Sequence, residues 1–203
     1  KNTDADSNGT NAITTGFLHL TPLDTLSLCM NTNGSRSKES SKSSDARADA
    51  TQLSRAVFER VASRLDGRPS LVLPGLFVGS IGCAYSEEVL VEHRITRVVA
   101  AGNGLRTPFA SQARYLRLRV DDNPRDADKL LALLFVAICF IRKALAEQRN
   151  VLVHCFAGKS RSVTIIMAYL MTREIEPVQE VREALRLVAQ VRPKAAPNLA
   201  FTI

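Results

Sequence analysis

Cysteine, glycine and arginine fall at short, fixed intervals in 151-VLVHCFAGKSRSVTII-166. A β-branched run ends in His154-Cys155, a short loop passes through Gly158, and Arg161-Ser162 opens an apolar helical pattern. A strand, a loop and a helix N-terminus in that order suit an anion. The loop and first-turn N–H groups have no intrahelical partner, and the helix dipole adds positive potential. A cysteine at the strand end faces that field, which favours the thiolate and makes Cys155 a nucleophile near neutral pH. Arg161 lies six residues further on, so a tight loop returns its planar fork to the same centre, where it fits two oxygens of a phosphoryl group. The backbone amides of Phe156, Ala157, Gly158, Lys159, Ser160 and Arg161 form the expected cradle. Gly158 relieves steric demand where the loop turns around the anion. Ser162 donates a hydroxyl to the sulfur and eases its later departure, and His154 holds the backbone and adds polarity. Together these parts describe phosphoryl transfer to sulfur. The thiolate attacks phosphorus, the amides and Arg161 stabilise the equatorial oxygens, and water then hydrolyses the thiophosphate. That chemistry needs no metal or other cofactor, and no metal-ligand spacing stands out in the chain.

Such a loop needs a buried strand and a sheet behind it. The chain has 203 residues, enough for one compact domain with a proper core, and its 45% hydrophobic and 23% charged content is ordinary for a globular protein. No apolar run is long enough to span a bilayer, and the start is too polar for a signal peptide. Charges of 1–50 nearly cancel, so the positive excess behind the chain's net +7 lies in 51–203 and favours anionic partners. The cysteines at 29, 83, 139 and 155 show neither CxxC pairing nor zinc spacing, which points to free thiols in a reducing compartment. Cys83 and Cys139 fall in apolar helical patterns and read as core thiols. His19 and His93 read as tail or surface residues without partners.

Residues 1–50 are rich in Ser, Thr, Asn and Asp and read as a disordered, low-complexity arm. The apolar piece 17-FLHLTPLDTLSLCM-30 interrupts it, as a collapsed tail or, alternatively, a docking motif. Leu53, Val57, Val61 and Leu65 recur at helical spacing, giving an N-terminal helix and linker over 51–69. The catalytic domain occupies 70–203. The pattern predicts two short strands around Pro74-Gly75, a helix over 84–94, a buried strand over 95–101 and a strand over 114–120 whose arginines face outward. A long helix over 128–148 follows, with Leu130, Leu134, Ile138 and Ile141 inward. Then come a strand over 151–154, a helix over 160–173 and a last helix from Pro177 to 191. Strands alternating with helices imply an α/β fold, a mostly parallel central sheet flanked by helices.

His154-Cys155-x-x-Gly158-x-x-Arg161-Ser162 resembles the signature of cysteine-dependent protein-tyrosine phosphatases, and HCFAGKSRS followed by VTIIMAYLM is similar to the dual-specificity subgroup. The resemblance covers most of residues 70–203. It includes 73-LPGLFVGS-80 and a closing segment with Arg192-Pro193, Pro197-Asn198 and Phe201, in which Ala200 replaces the usual Gly and puts the local turn in question. The resemblance implies hydrolysis of phosphotyrosine and phosphoserine/threonine on proteins, possession of a shallow pocket, and an aspartic acid upstream of the cysteine as proton donor. In 115-YLRLRVDDNPRD-126, strand alternation alone would point Asp121 and Asp122 to opposite sides. The family register selects Asp122, leaving Asp126 and Asp128 to cap the next helix. Lys159 supports an alternative, since lipid phosphatases of the wider superfamily grip inositol phosphates with loop lysines, although Phe156 stands at the second such position. A further alternative is a catalytically weak phospho-binding module. The expected partners are phosphorylated proteins, among them a protein kinase, and not nucleic acid. The expected location is intracellular, in cytoplasm or nucleus.

Overall fold

The computed structural model describes residues 66–174 and 176–202. The expected arm over 1–50 and helix over 51–65, with His19 and Cys29, lie outside them. Strands β1 (Ser70–Leu73) and β2 (Leu76–Gly79) form a hairpin around Pro74-Gly75. Gly75 supplies the positive φ of 79° that this turn needs. Helices α1 (Ile81–Ala84) and α2 (Glu87–Glu92) lead to β3 (Ile95–Ala101) and β4 (Arg114–Leu118). A 3₁₀ turn (Pro124–Asp126) opens α3 (Ala127–Ala146), then come β5 (Asn150–His154), α4 (Arg161–Thr172), α5 (Val181–Val191) and a 3₁₀ turn (Leu199–Phe201).

The sheet runs β1-β2-β5-β3-β4. β1 pairs antiparallel with β2, and the β2–β5, β5–β3 and β3–β4 pairs are parallel. The mostly parallel sheet is as expected, with one antiparallel edge. Alternation sorts its side chains into two layers. Leu76, Val78, Val99, Val151 and Val153 join α3, α4 and α5 in the larger core, while Phe77, Val98 and Leu152 meet Cys83 and Leu90 of α1 and α2 on the other face. β5 is central and buried on both faces, so its sequence reads as an unbroken apolar run rather than an alternating one.

The helix expected over 84–94 is α2, Glu87–Glu92, and the short α1 ahead of it, Ile81–Ala84, was not expected. Ser80 accepts from Gly82 N–H and Ser86 from Val89 N–H, so each serine starts its own helix, and the chain breaks between them at Tyr85. The last helix begins at Val181, not Pro177. Glu180 at its N-cap is extended (φ −115°, ψ 138°), and Val178 N–H donates to Leu170 O in α4. On α3, Leu130, Ala137, Ile138, Ile141 and Ala144 face the core and Leu134 is half-buried, but Cys139 is exposed with Phe135 and Leu131 four and eight residues before it. It lies on the outward side of the helix rather than in the core. Cys83 is buried, as expected. His93 is half-buried, its ring 5.3 Å from that of Phe77, and its carbonyl accepts from Asn150. Arg114, Arg117 and Arg119 are exposed.

Candidate active site

β5 ends at the carboxyl edge of the parallel sheet, where open α/β sheets bind ligands, and Cys155 is the next residue. Its sulfur lies 3.2 Å from the N–H of Gly158 and 3.2 Å from Ser162 Oγ. α4 begins at Arg161, and its N-cap Ser160 makes no side-chain cap bond, so the first-turn amides stay open.

The loop is formed by its carbonyls. Ile81 N–H donates to Phe156 O at 3.0 Å, Arg192 Nε to Gly158 O at 2.5 Å, Ala196 N–H to Lys159 O at 2.9 Å and Thr164 N–H to Ser160 O at 2.8 Å. In a planar trans peptide the carbonyl and the following N–H point in opposite directions. Each carbonyl drawn away from the loop therefore turns an N–H, on Ala157, Lys159, Ser160 and Arg161, toward its interior. Gly158 has φ 66°, and a Cβ there would press on Arg192 Nη2 and the Gly79 backbone. The position needs glycine for both its conformation and its space.

Arg161 is mostly buried. Its Nη1 donates to Val120 O at 3.2 Å, and its Nε lies 3.6 Å from Asp122 Oδ2. Ser160 Oγ donates to Asp122 Oδ1 at 2.7 Å and accepts from Asn198 N–H at 3.0 Å. One hydroxyl thus joins the 119–123 loop, the cysteine loop and the closing segment. Asp122, not Asp121, meets the cysteine loop; Asp121 is exposed, and its N–H donates to Asp126 Oδ2 at 2.6 Å. Asp126 makes no helix-capping side-chain bond, and Asn123 caps the 3₁₀ turn instead by accepting from Arg125 and Asp126 N–H. Ala200 sits in the last 3₁₀ turn, its N–H bound by Asn198 Oδ1, and has no positive φ that would call for glycine. Lys159 is exposed.

His154 is fully buried beneath the loop, with Nδ1 3.3 Å from Cys155 O and its ring edge-on to Tyr85. Burial pushes its pKa down to about 4, against a smaller upward pull from the Cys155 carbonyl. The ring is therefore neutral at physiological pH, so His154 acts on the loop by shape and a backbone contact rather than by charge. The contributions of the Ser160 hydroxyl and Arg192 were not visible in the sequence. Arg192 and Asn198 stood in a recognised segment, but nothing in their spacing tells which carbonyl or hydroxyl they bind.

Three comparisons agree with this geometry. The family described as dual specificity phosphatase, catalytic domain, matches residues 76–203. The chain is 37% identical over 139 residues to dual specificity protein phosphatase 1 of Arabidopsis thaliana, a match covering 68% of this chain and 67% of that one. It is 37% identical over 134 residues to human dual specificity protein phosphatase 16, covering 66% of this chain but only 19% of that relative. Among solved structures, a mouse putative dual specificity phosphatase complexed with zinc tungstate superposes with a TM-score of 0.61 at 32% identity, over 67% of this chain and 82% of that one. The chain belongs to the dual specificity phosphatase family.

Proposed function

We infer that this chain is a protein phosphatase of dual specificity, hydrolysing phosphate monoesters on phosphotyrosine and on phosphoserine or phosphothreonine through a phosphocysteine. The observation that carries this reading is the Cys155 sulfur, 3.2 Å from both Gly158 N–H and Ser162 Oγ, under a loop whose carbonyls are drawn away and whose rim touches Arg161 and Asp122. The thiolate attacks phosphorus and the ester oxygen leaves. Inward amides of 156–161 and the Arg161 guanidinium take the equatorial oxygens. On binding, Arg161 exchanges its Asp122 neighbour for two phosphoryl oxygens. With Oδ1 of Asp122 held by Ser160, Oδ2 carries the proton to the leaving oxygen and afterwards accepts one from the attacking water. Ser162 donates to the sulfur as the S–P bond breaks.

The mouse relative is complexed with zinc tungstate, and tungstate, like phosphate, is a tetrahedral oxyanion; we extend that class of anion to this cradle. Phosphorylated proteins are the substrates, with a protein kinase as one such partner. An intracellular site, cytoplasmic or nuclear, suits the free thiols Cys83, Cys139 and Cys155. Among the described residues no helix is long and apolar enough to cross a membrane. No observation beyond the exposed Lys159 favours the phosphoinositide alternative, and a cradle joined to Arg161 and Asp122 is equipped for turnover rather than for binding alone. The test is p-nitrophenyl phosphate hydrolysis under pre-steady-state conditions. The expected result is a burst in the wild type that vanishes with Cys155→Ser. Equal turnover by the two proteins would remove Cys155 from the mechanism.

A further inference from the structure

Arg192 is only 2% exposed, although it carries a permanent charge. Its Nε donates to Gly158 O at 2.5 Å, its Nη1 donates to Ser70 Oγ at 3.3 Å, and the same Nη1 lies 3.1 Å from Asp66 Oδ2. A buried guanidinium is costly unless paired, and Asp66 is its ion-pair partner among the described residues. Asp66 is itself held in place: its backbone carbonyl accepts from Ser80 Oγ at 3.0 Å, and Lys194 binds its other carboxylate oxygen. Burial alone would raise the Asp66 pKa, but Lys194 and Arg192 outweigh it and keep the carboxyl below its ordinary range. Asp66 also lies upstream of the family match, which begins at residue 76.

We propose that Asp66 is a positioning residue for the phosphate cradle, acting through Arg192 on the peptide between Gly158 and Lys159. Arg192 holds the Gly158 carbonyl outward, and that turns the Lys159 N–H inward. Reversal of this peptide turns ψ of Gly158 and φ of Lys159, and Gly158, having no Cβ, sets little steric barrier on its side. Reversal would place a carbonyl oxygen where an anion binds. Arg192 prevents it only while it stays at the loop, and the Asp66 carboxylate keeps it there. The working catalytic unit therefore begins at Asp66 or before, ahead of the first strand. This inference rests on the anion-binding reading of the loop given above.

The test uses the full chain and compares two alkylating agents at Cys155. In each, the thiolate displaces iodide and forms a carbon–sulfur bond; iodoacetate brings a carboxylate to the cradle and iodoacetamide does not. Exposed Cys139, which has no cradle, serves as the internal reference, and site-specific rates are read by mass spectrometry. In the wild type Cys155 prefers iodoacetate. In Asp66→Asn that preference falls at least fivefold, and the tungstate concentration for half-inhibition rises at least fivefold. Asp66→Glu restores most of both. Arg192→Lys, which keeps the charge but loses the planar Nε donor to Gly158 O, shares the loss. A purely structural defect would slow or speed both reagents alike. Unchanged preference and tungstate sensitivity in Asp66→Asn and Arg192→Lys would overturn the proposal while leaving the phosphatase reading intact. The reverse pattern, with no ester hydrolysis in the wild type but an anion preference lost in Asp66→Asn, would support the relay and sink the phosphatase reading.

Discussion

Acid should weaken this fold through one histidine. His154 is fully buried beneath the cysteine loop, and burial pushes its pKa down to about 4, whereas an unfolded histidine titrates at about 6.5. Between those values the unfolded chain holds a proton that the folded chain excludes. Stability from this group is therefore fully present above about pH 6.5 and is lost as pH falls through about 4. The window is about 2.5 units at 1.36 kcal/mol each, so the loss is about 3 kcal/mol, a large part of a marginal ~5–15 kcal/mol stability. The perturbation is His154→Asn, whose amide can occupy the place of Nδ1 beside the Cys155 carbonyl without binding a proton. The substitution has a pH-independent packing cost of its own. Urea unfolding of both proteins from pH 7.5 to 4.5 gives two curves of stability against pH. Carboxylates titrate in both proteins and cancel in the difference. The wild type should lose about 2–3 kcal/mol more than the variant across that range. Parallel curves would refute the reasoning, because they would mean that folded His154 takes up a proton as readily as the unfolded chain.

Two substitutions probe the loop and its rim. Gly158→Ala forces a side chain into a left-handed position, at a cost of roughly 1 kcal/mol, and against the fixed Gly79 backbone, at a cost of roughly 1–3 kcal/mol more. Denaturant unfolding should show a loss of about 2–4 kcal/mol together with weaker tungstate inhibition, and a stability within about 0.5 kcal/mol of wild type would contradict the packing at Gly158. Asp122→Asn should reduce turnover of an alkyl phosphate at least ~100-fold while sparing an activated aryl ester, whose leaving group departs without a proton. Equal losses on both substrates, measured by steady-state kinetics, would assign Asp122 to binding rather than to proton transfer.

The cysteine loop was legible because its chemistry is local. Cys155, Gly158, Arg161 and Ser162 sit on one short strand–loop–helix unit, so spacing alone brings them together. The sheet was legible for a related reason. β5 is buried on both faces, and such a strand is written as an uninterrupted apolar run. Helix α1 was harder to see, since four residues are too few to show a helical period. The cap bonds of Ser80 and Ser86 set it apart from α2, and a serine in sequence does not announce whether it caps or merely faces solvent. Cys139 was misplaced because an apolar pattern on α3 runs around more of the helix than the core covers, as exposed Leu131 and Phe135 also show.

What holds the loop open was illegible for a different reason. Its shape depends on donors from four places: Ile81 on α1, Thr164 within α4, Arg192 at the end of α5 and Ala196 beyond it. Three of the four donors are backbone N–H groups, which every non-proline residue carries, so residue type gives no sign of them. The choice between Asp121 and Asp122 had the same character. Alternation could only separate the two carboxylates, and β4 has already ended at Leu118, before either of them. What distinguishes them is the Ser160 hydroxyl, whose oxygen accepts from the Asn198 N–H and whose proton goes to Asp122. A motif therefore specifies which groups can react with phosphorus. The orientation of those groups is set by residues scattered along the chain, each contributing one hydrogen bond, and the expected loss of oxyanion binding in Asp66→Asn follows from that division.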